Sequence, residues 1–364
     1  MASLSKADYS KSAPPRLTIE LPNEIEGPAK KFLEDYKWPP SDRSLEGNAN
    51  QLNLRHRIPE PGLTAEENSI RFLESFWPTK PATSHLLVLS HQVELSPLYF
   101  QYLKYFILEY RYSTQWAGYK HLMGISLDLP STYLNDTTGF TPPRRTSKSS
   151  SDPDSAISFL WQAPNSNAAL YFGDMWTELH SFLGHSLISQ HKLPTPTTLN
   201  FKEVSKTYPS WLENILQLVR TRGYYFLYST LADEAALATI HNELYKAPEE
   251  FSNSGDVKEH SAPVASADFT ADPVHHLSLQ HTEKPLASRS LLSLLPSDGI
   301  LPSLTDMPLL SWDGKAITNM ELEEAASNYS QVFRREIGRC STSDKHKTIL
   351  EGSANDLFCL DDEG

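Results

Sequence analysis

Short unbroken apolar runs alternate along this chain with segments of helical period, and that alternation narrows the fold more than any other feature. "HLLVLS" (85–90) carries four consecutive aliphatic residues with no polar alternation. Such runs suit strands buried on both faces, as in parallel or mixed sheets covered by helices. "HLMGISL", "SFLWQA", "AALYF" and the aromatic "GYYFLYS" repeat the signal. "RLTIELP" (16–22) alternates apolar and polar residues and stops at proline, which predicts one more strand.

The helices between these runs have readable ends. Thr64 and Glu67 form a capping box ahead of Ile70, Leu73, Phe76 and Trp77, an apolar face that stops before Pro78. Ser96 and Pro97 supply an N-cap and a first helical residue. Leu98, Tyr102, Phe106 and Tyr110 then recur every four residues. "GDMWTELHSFLGHSLISQH" is amphipathic, with Asp174 as its N-cap, and "YPSWLENILQLVRTRG" is a capped helix closed by Gly223. "NMELEEAASNYSQVFRREIG" reads as a helix ended by Gly338. Strands and helices in this order predict an α/β fold.

Four regions follow from composition. Residues 1–245 hold the α/β pattern, 246–288 form a polar linker or insertion, and 289–338 are a Pro-punctuated wrapping segment with a helix. Residues 339–364 form an acidic tail expected to be disordered, and the loop from Pro130 to Ser155 is expected to be mobile. The formal net charge of -13 argues against generic binding to nucleic acid or an anionic membrane. Two cysteines, Cys340 and Cys359, are too few for a cysteine-stapled scaffold or a four-cysteine zinc site. No stretch approaches the ~20 apolar residues that span a bilayer. The first residues lack the apolar run of a signal peptide, and two sequons begin at Asn135 and Asn328.

Neither a GxGxxG nor a GxxxxGK[ST] loop is present, which removes the commonest dinucleotide and P-loop readings, and HExxH is absent. His180, His185 and His191 are five and six residues apart, so they share no helix face and read as surface or packing residues. His275 and His276 fall in the polar linker.

The turn after "LLVL" is different. Open α/β sheets bind ligands just past the carboxyl ends of their strands, and Ser90, His91, Gln92 and Glu94 cluster there. An ordinary capped loop would look the same. Asn165, Ser166 and Asn167 lie between two apolar runs and suit either a sugar or a tight turn. Glu213, in the first turn of its helix, suits either the helix dipole or a general base.

Taken in order, "LLVLSHQVELSPLYFQYLKY", "LMGISLDLP", "FLWQAPNSNAALYFGDMWTELHSFL", "PSWLENILQLVRTRGYYFLYS" and "ATIHNELY" resemble a fungal group of family-2-type glycosyltransferases with a GT-A-like fold. The resemblance covers roughly residues 1–245, and "LLSLLPSDG" with "LLSWDG" extends it. Members with intact sites carry a Leu-Glu-Asp-Asp-Val-Glu-Val-Ser-Pro segment where this chain has "LSHQVELSP". They carry Pro-Cys-Ser-Trp-Gly-Ala-Leu-Tyr-Phe where it has "APNSNAALYF". The resemblance implies transfer of a sugar from a nucleotide-sugar donor to a glycan or protein acceptor, of the inverting hexosyltransferase type, in the Golgi or another secretory compartment. Ser90, His91, Gln92 and Glu94 would lie near the donor diphosphate, and Asn165, Ser166 and Asn167 would line the sugar pocket. Glu213 is the first candidate for the base and Asp174 the second.

Two departures matter. Ser90, His91 and Gln92 replace the acidic segment that in relatives holds Mn2+ or Mg2+ against the diphosphate, so no metal ligand is assigned. The fungal group often lacks this pair too. "SLSKADYS" resembles the end of the first helix of the fold and "RLTIELP" its second strand, which leaves the first nucleotide-binding strand out. The alternative is a non-catalytic pseudoenzyme or truncated member that binds a glycan or a partner.

Overall fold

A computed structural model of the 364-residue chain describes residues 1–10, 12–23, 25–40, 51–58, 63–113, 120–134, 138–143, 156–191, 202–204, 210–232, 235–245, 290–341 and 348–359. The polar linker of 246–288 lies outside the described residues, as do Asn135, His275 and His276.

The expected strands form. β3 (Leu86–Leu89), β5 (Leu122–Ser126), β6 (Ser158–Trp161), β7 (Ala168–Tyr171) and β8 (Tyr225–Ser229) join β10 (Leu309–Leu310) in one six-stranded sheet. Its order is β10-β6-β8-β5-β7-β3. β5 runs parallel to β8 and β10 parallel to β6, while the other neighbours are antiparallel, so the sheet is mixed. β1 (Leu17–Leu21) and β2 (Leu52–His56) form a separate parallel pair. β4 (Val93–Leu95) and β9 (Ala238–Ile240) form an antiparallel one. The protein is thus a mixed α/β structure with helices packed on its sheet.

One expectation about the sheet needs correcting. β3 was expected to be buried on both faces, yet all four of its residues are only half-buried. It sits at the edge of the sheet, where among the described residues one flank has no strand beside it. The interior strands β5, β6 and β7 are buried throughout.

The helices in chain order are α1 (Ala2–Lys6), α2 (Gly27–Asp35), α3 (Ala65–Ile70), α4 (Tyr99–Ile107), α5 (Gly173–His191), α6 (Trp211–Arg222), α7 (Leu291–Leu294) and α8 (Asn319–Glu336). The capping box of Thr64 and Glu67 is present on α3, and Thr318 with Glu321 makes a second one on α8. The face expected beyond α3 holds only in part: Ile70 and Leu73 are buried, but Trp77 is 59% exposed. The chain tightens into a 3-10 turn over Arg71–Ser75, which rotates Trp77 off the apolar stripe.

Ser96 stands before α4 rather than at its N-cap, which is Leu98. Its hydroxyl accepts from Leu98 N–H at 3.2 Å, so it closes the turn that leads into the helix. α6 ends as its sequence requires, with Gly223 at φ 67 and its N–H on the Val219 carbonyl.

Residues 289–338 wrap the body: Leu294, Leu304 and Leu310 join the same core as β5 and α5. Part of the loop expected to be mobile is ordered too. Thr132 bridges Gly139, and the Phe140 ring stacks on Trp161 at 4.4 Å. The tail expected to be disordered also packs over 348–359. Leu357 and Phe358 are buried, Cys340 bonds to Cys359, and the Arg222 guanidinium grips Asp356. Two apolar side chains and a buried ion pair outweigh the polar composition there. No helix among the described residues is long and apolar enough to cross a membrane.

Candidate functional site

The strand register fixes which residues meet. Leu89 pairs with Ala168, and Ser126 pairs with Ala169. The carboxyl ends of β3 and β5 therefore flank the start of β7, and Ser90, Asp128 and Asn167 come together at one end of the sheet. The Ser90 N–H donates to the Asn167 carbonyl at 2.7 Å, which ties the two polar turns directly.

The second turn arrives by an unusual path. β6 ends at Trp161, at the far end of the sheet, and β7 begins at Ala168, at the near end. Residues 162–167 make that return across a sheet face and are buried throughout. Their backbone is satisfied from the sheet: Tyr228 donates to the Ala163 carbonyl at 2.9 Å and Tyr171 to the Asn165 carbonyl at 2.6 Å.

Asn165 is wholly buried and fully used. Its amide nitrogen donates to Asp128 at 2.6 Å and to the Ser126 hydroxyl at 2.7 Å. Its oxygen accepts from the backbone of Asn167 at 2.7 Å and of Ala168 at 3.3 Å. Burial pushes the Asp128 carboxyl up to about 7, against the opposing pull of hydrogen bonds from the Asn165 and Asn167 side chains. Asp128 was not among the residues singled out in the sequence. The available signal was a lone acid two residues past "LMGIS", under the same strand-end rule that picked out Ser90.

Beside this satisfied centre lie atoms with no partner. Ser90 Oγ, Gln92 Nε2, Ser166 Oγ and Asn167 Oδ1 are buried without a hydrogen bond among the described residues. Gln92, Ser166 and Asn167 are at most 9% exposed. An unpaired buried polar atom costs on the order of 1–3 kcal/mol. Asp174 Oδ1, His180 Nε2, Ser186 Oγ and Gln217 Oε1 are likewise unpaired among the described residues, but the four on two joined turns make these turns the candidate place for a polar ligand.

The other sequence candidates stand elsewhere or are occupied. His91 is exposed, with Nε2 at 3.1 Å from the Leu244 carbonyl. Glu94 points to the small β4–β9 sheet and meets His241 at 3.1 Å, the main reason that imidazole holds its proton more tightly than usual. Glu213 is buried, and its carboxylate accepts the backbone N–H of Glu203 at 3.1 Å and of Val204 at 2.9 Å. Asp174 is the second residue of α5 rather than its cap, and Arg111 pairs with it. It follows β7, so it lies at the opposite end of the sheet from Ser90 and Asn167.

This arrangement does not fit a divalent cation that bridges a diphosphate. Such ions want carboxylate and other hard oxygen ligands. Here the turn offers a hydroxyl and an amide, while its His91 and Glu94 are drawn apart to different carbonyl and imidazole partners. Among the described residues no group of three His, Cys, Asp or Glu gathers to hold a metal.

The family model of the SPBC1E8.03c C-terminal domain matches residues 48–192. The chain is similar to that domain over this span, which runs from β2 to α5 and includes both polar turns and Asp128. The match covers less than half of the 364 residues. No curated protein matches the chain.

Proposed function

We propose that this chain is a glycosyltransferase of the GT-A-like type, transferring a sugar from a nucleotide-sugar donor to a glycan or protein acceptor. One observation carries the reading. The residues that the sequence resemblance puts near the donor, Ser90 and Gln92 by the diphosphate and Ser166 and Asn167 by the sugar, carry four buried polar atoms without partners among the described residues. A mixed sheet with its polar turns past strand carboxyl ends is the kind of scaffold on which such ligands bind. A Golgi or other secretory compartment is the location we assign, and the Cys340–Cys359 disulfide is of the kind that persists in oxidising compartments.

A second reading has its own support. Glu213 and Asp174, the two candidates for the base, are both committed to structural partners. A module that binds a glycan or partner without catalysis needs neither of them free.

The test is release of nucleotide from a panel of UDP-glucose, UDP-galactose, UDP-N-acetylglucosamine and GDP-mannose, with and without glycan acceptors, beside calorimetric binding of the same compounds. Turnover supports the transferase. Binding without turnover supports the module. A folded chain that binds neither nucleotide-sugars nor glycans contradicts both.

A further inference from the structure

We propose that the site holds its sugar without a divalent cation, in a neutral cradle of Ser90, Gln92, Ser166 and Asn167 that Asp128 sets in place. This rests on the reading above that the ligand is a sugar. It names the part of the donor or acceptor that is held and the way it is held.

The donor set is the first ground. Gln92 Nε2 can only donate, Asn167 Oδ1 can only accept, and the two hydroxyls do either. All four atoms are buried and unpaired among the described residues. Sugar hydroxyls both donate and accept, so neighbouring hydroxyls on a ring satisfy such a mixed set. A diphosphate accepts only, and it would leave Asn167 Oδ1 facing another acceptor.

Charge is the second ground. None of the four residues is ionisable, and the Asp128 carboxyl stands behind them, bonded to the Asn165 amide at 2.6 Å. Once ionised, a carboxylate behind the site repels phosphate, and among the described residues no Lys or Arg hydrogen-bonds to any of the four atoms to offset it. The neutral end of the ligand belongs here.

Asp128 acts as a positioning residue. Its carboxyl accepts from the Asn165 side-chain amide at 2.6 Å. The oxygen of that Asn165 amide accepts the Asn167 backbone N–H at 2.7 Å, which fixes the residue whose Oδ1 is left without a partner among the described residues. The hydroxyls of Tyr171 and Tyr228 complete the surroundings, both electrostatically coupled to Asp128. Loss of the Asp128 charge therefore loosens the amide that fixes Asn167.

The experiment is calorimetric titration of the full chain with methyl glycosides of glucose, galactose and mannose and with the corresponding nucleotide-sugars, in EDTA and in Mn2+. Wild type is compared with Gln92→Ala, Asn167→Ala, Ser166→Ala and Asp128→Asn, each checked for folding by circular dichroism and thermal melting. At least one probe should bind equally in EDTA and Mn2+. Its affinity should fall about tenfold or more in Gln92→Ala or Asn167→Ala. In wild type the affinity should rise with pH through neutrality, and Asp128→Asn should abolish that dependence, which a merely structural role would not do. Ser166→Ala, which deletes one hydroxyl, keeps the test open if the amide variants fail to fold. Binding that needs Mn2+, or that survives every variant, overturns the cradle and leaves the transferase reading standing. Absence of binding of every probe by folded wild type overturns both.

Discussion

Burial moves two side chains in opposite directions, and both effects can be read from stability. Asp128 is raised to about 7 by desolvation, so the native state keeps a proton that the unfolded chain has already lost above pH 4. Its contribution therefore declines as pH rises through the window from about 4 to about 7. His85 is lowered to about 4, first by burial and then by the charge of Arg111, with Asp174 opposing. Its Nδ1 accepts from Gly173 N–H at 3.2 Å and its Nε2 meets Tyr112 at 2.7 Å, a neutral arrangement. Its contribution is present above about pH 6.5 and is lost as pH falls towards 4. Relative to Asp128→Asn, wild type should lose stability as pH rises from 4 to 7. Relative to His85→Gln, it should lose stability as pH falls from 6.5 to 4. Urea midpoints across this range check both, with slopes of up to about 1.4 kcal/mol per pH unit. At this scale the sequence was informative where a strand end placed a polar residue, as for Ser90 and Asn167. It named Glu213 and Asp174 as candidate bases but did not show their partners, residues 203–204 and Arg111, which no local pattern places beside them.

Among the elements, the capping box of α3 and the Gly223 end of α6 were legible because their chemistry is local, whereas Ser96 and Asp174 are not the caps expected of them and the Thr318 box was not read. Thr318 caps α8 through the Glu321 N–H, and the Glu321 carboxylate returns to Thr318 N–H at 2.7 Å. Thr318→Ala should cost about 1 kcal/mol in chemical denaturation. Gly124 in β5 is a different case. A Cβ there would sit 2.1 Å from the Leu170 carbonyl oxygen of β7, a backbone atom that cannot rotate away. Gly124→Ala should therefore cost at least about 1–3 kcal/mol and be felt at the site, since Asp128 follows β5 and Asn167 precedes β7. Neither the close approach at Gly124 nor the return of 162–167 across the sheet was legible. Both depend on which strands become neighbours, and strand order is a non-local property of the chain. The edge position of β3 was hidden for the same reason: an apolar run of four reads alike at an edge and in a centre.

For the molecule as a whole, Arg222, whose side chain is 7% exposed, ties distant parts together. It reaches Glu178 on α5 at 2.7 Å and Asp356 in the tail at 2.6 Å, and Tyr224 donates to Glu178 at 2.6 Å. Arg222→Met removes the cation and leaves two buried carboxylates facing each other. It should destabilise by about 3–5 kcal/mol and open 348–359 to limited proteolysis, readable by mass spectrometry of the fragments. Composition pointed the other way for this tail, since acidity signals disorder only when the charges lack buried partners. The account as a whole turns on whether the joined turns at the ends of β3 and β5 receive a sugar. Hydrogen exchange of the intact chain, with and without a saturating nucleotide-sugar or methyl glycoside, asks this most directly. The account predicts slowed exchange in peptides covering 88–92 and 162–168, in EDTA as well as in Mn2+. Unchanged exchange there with a bound probe, or protection elsewhere alone, would contradict it.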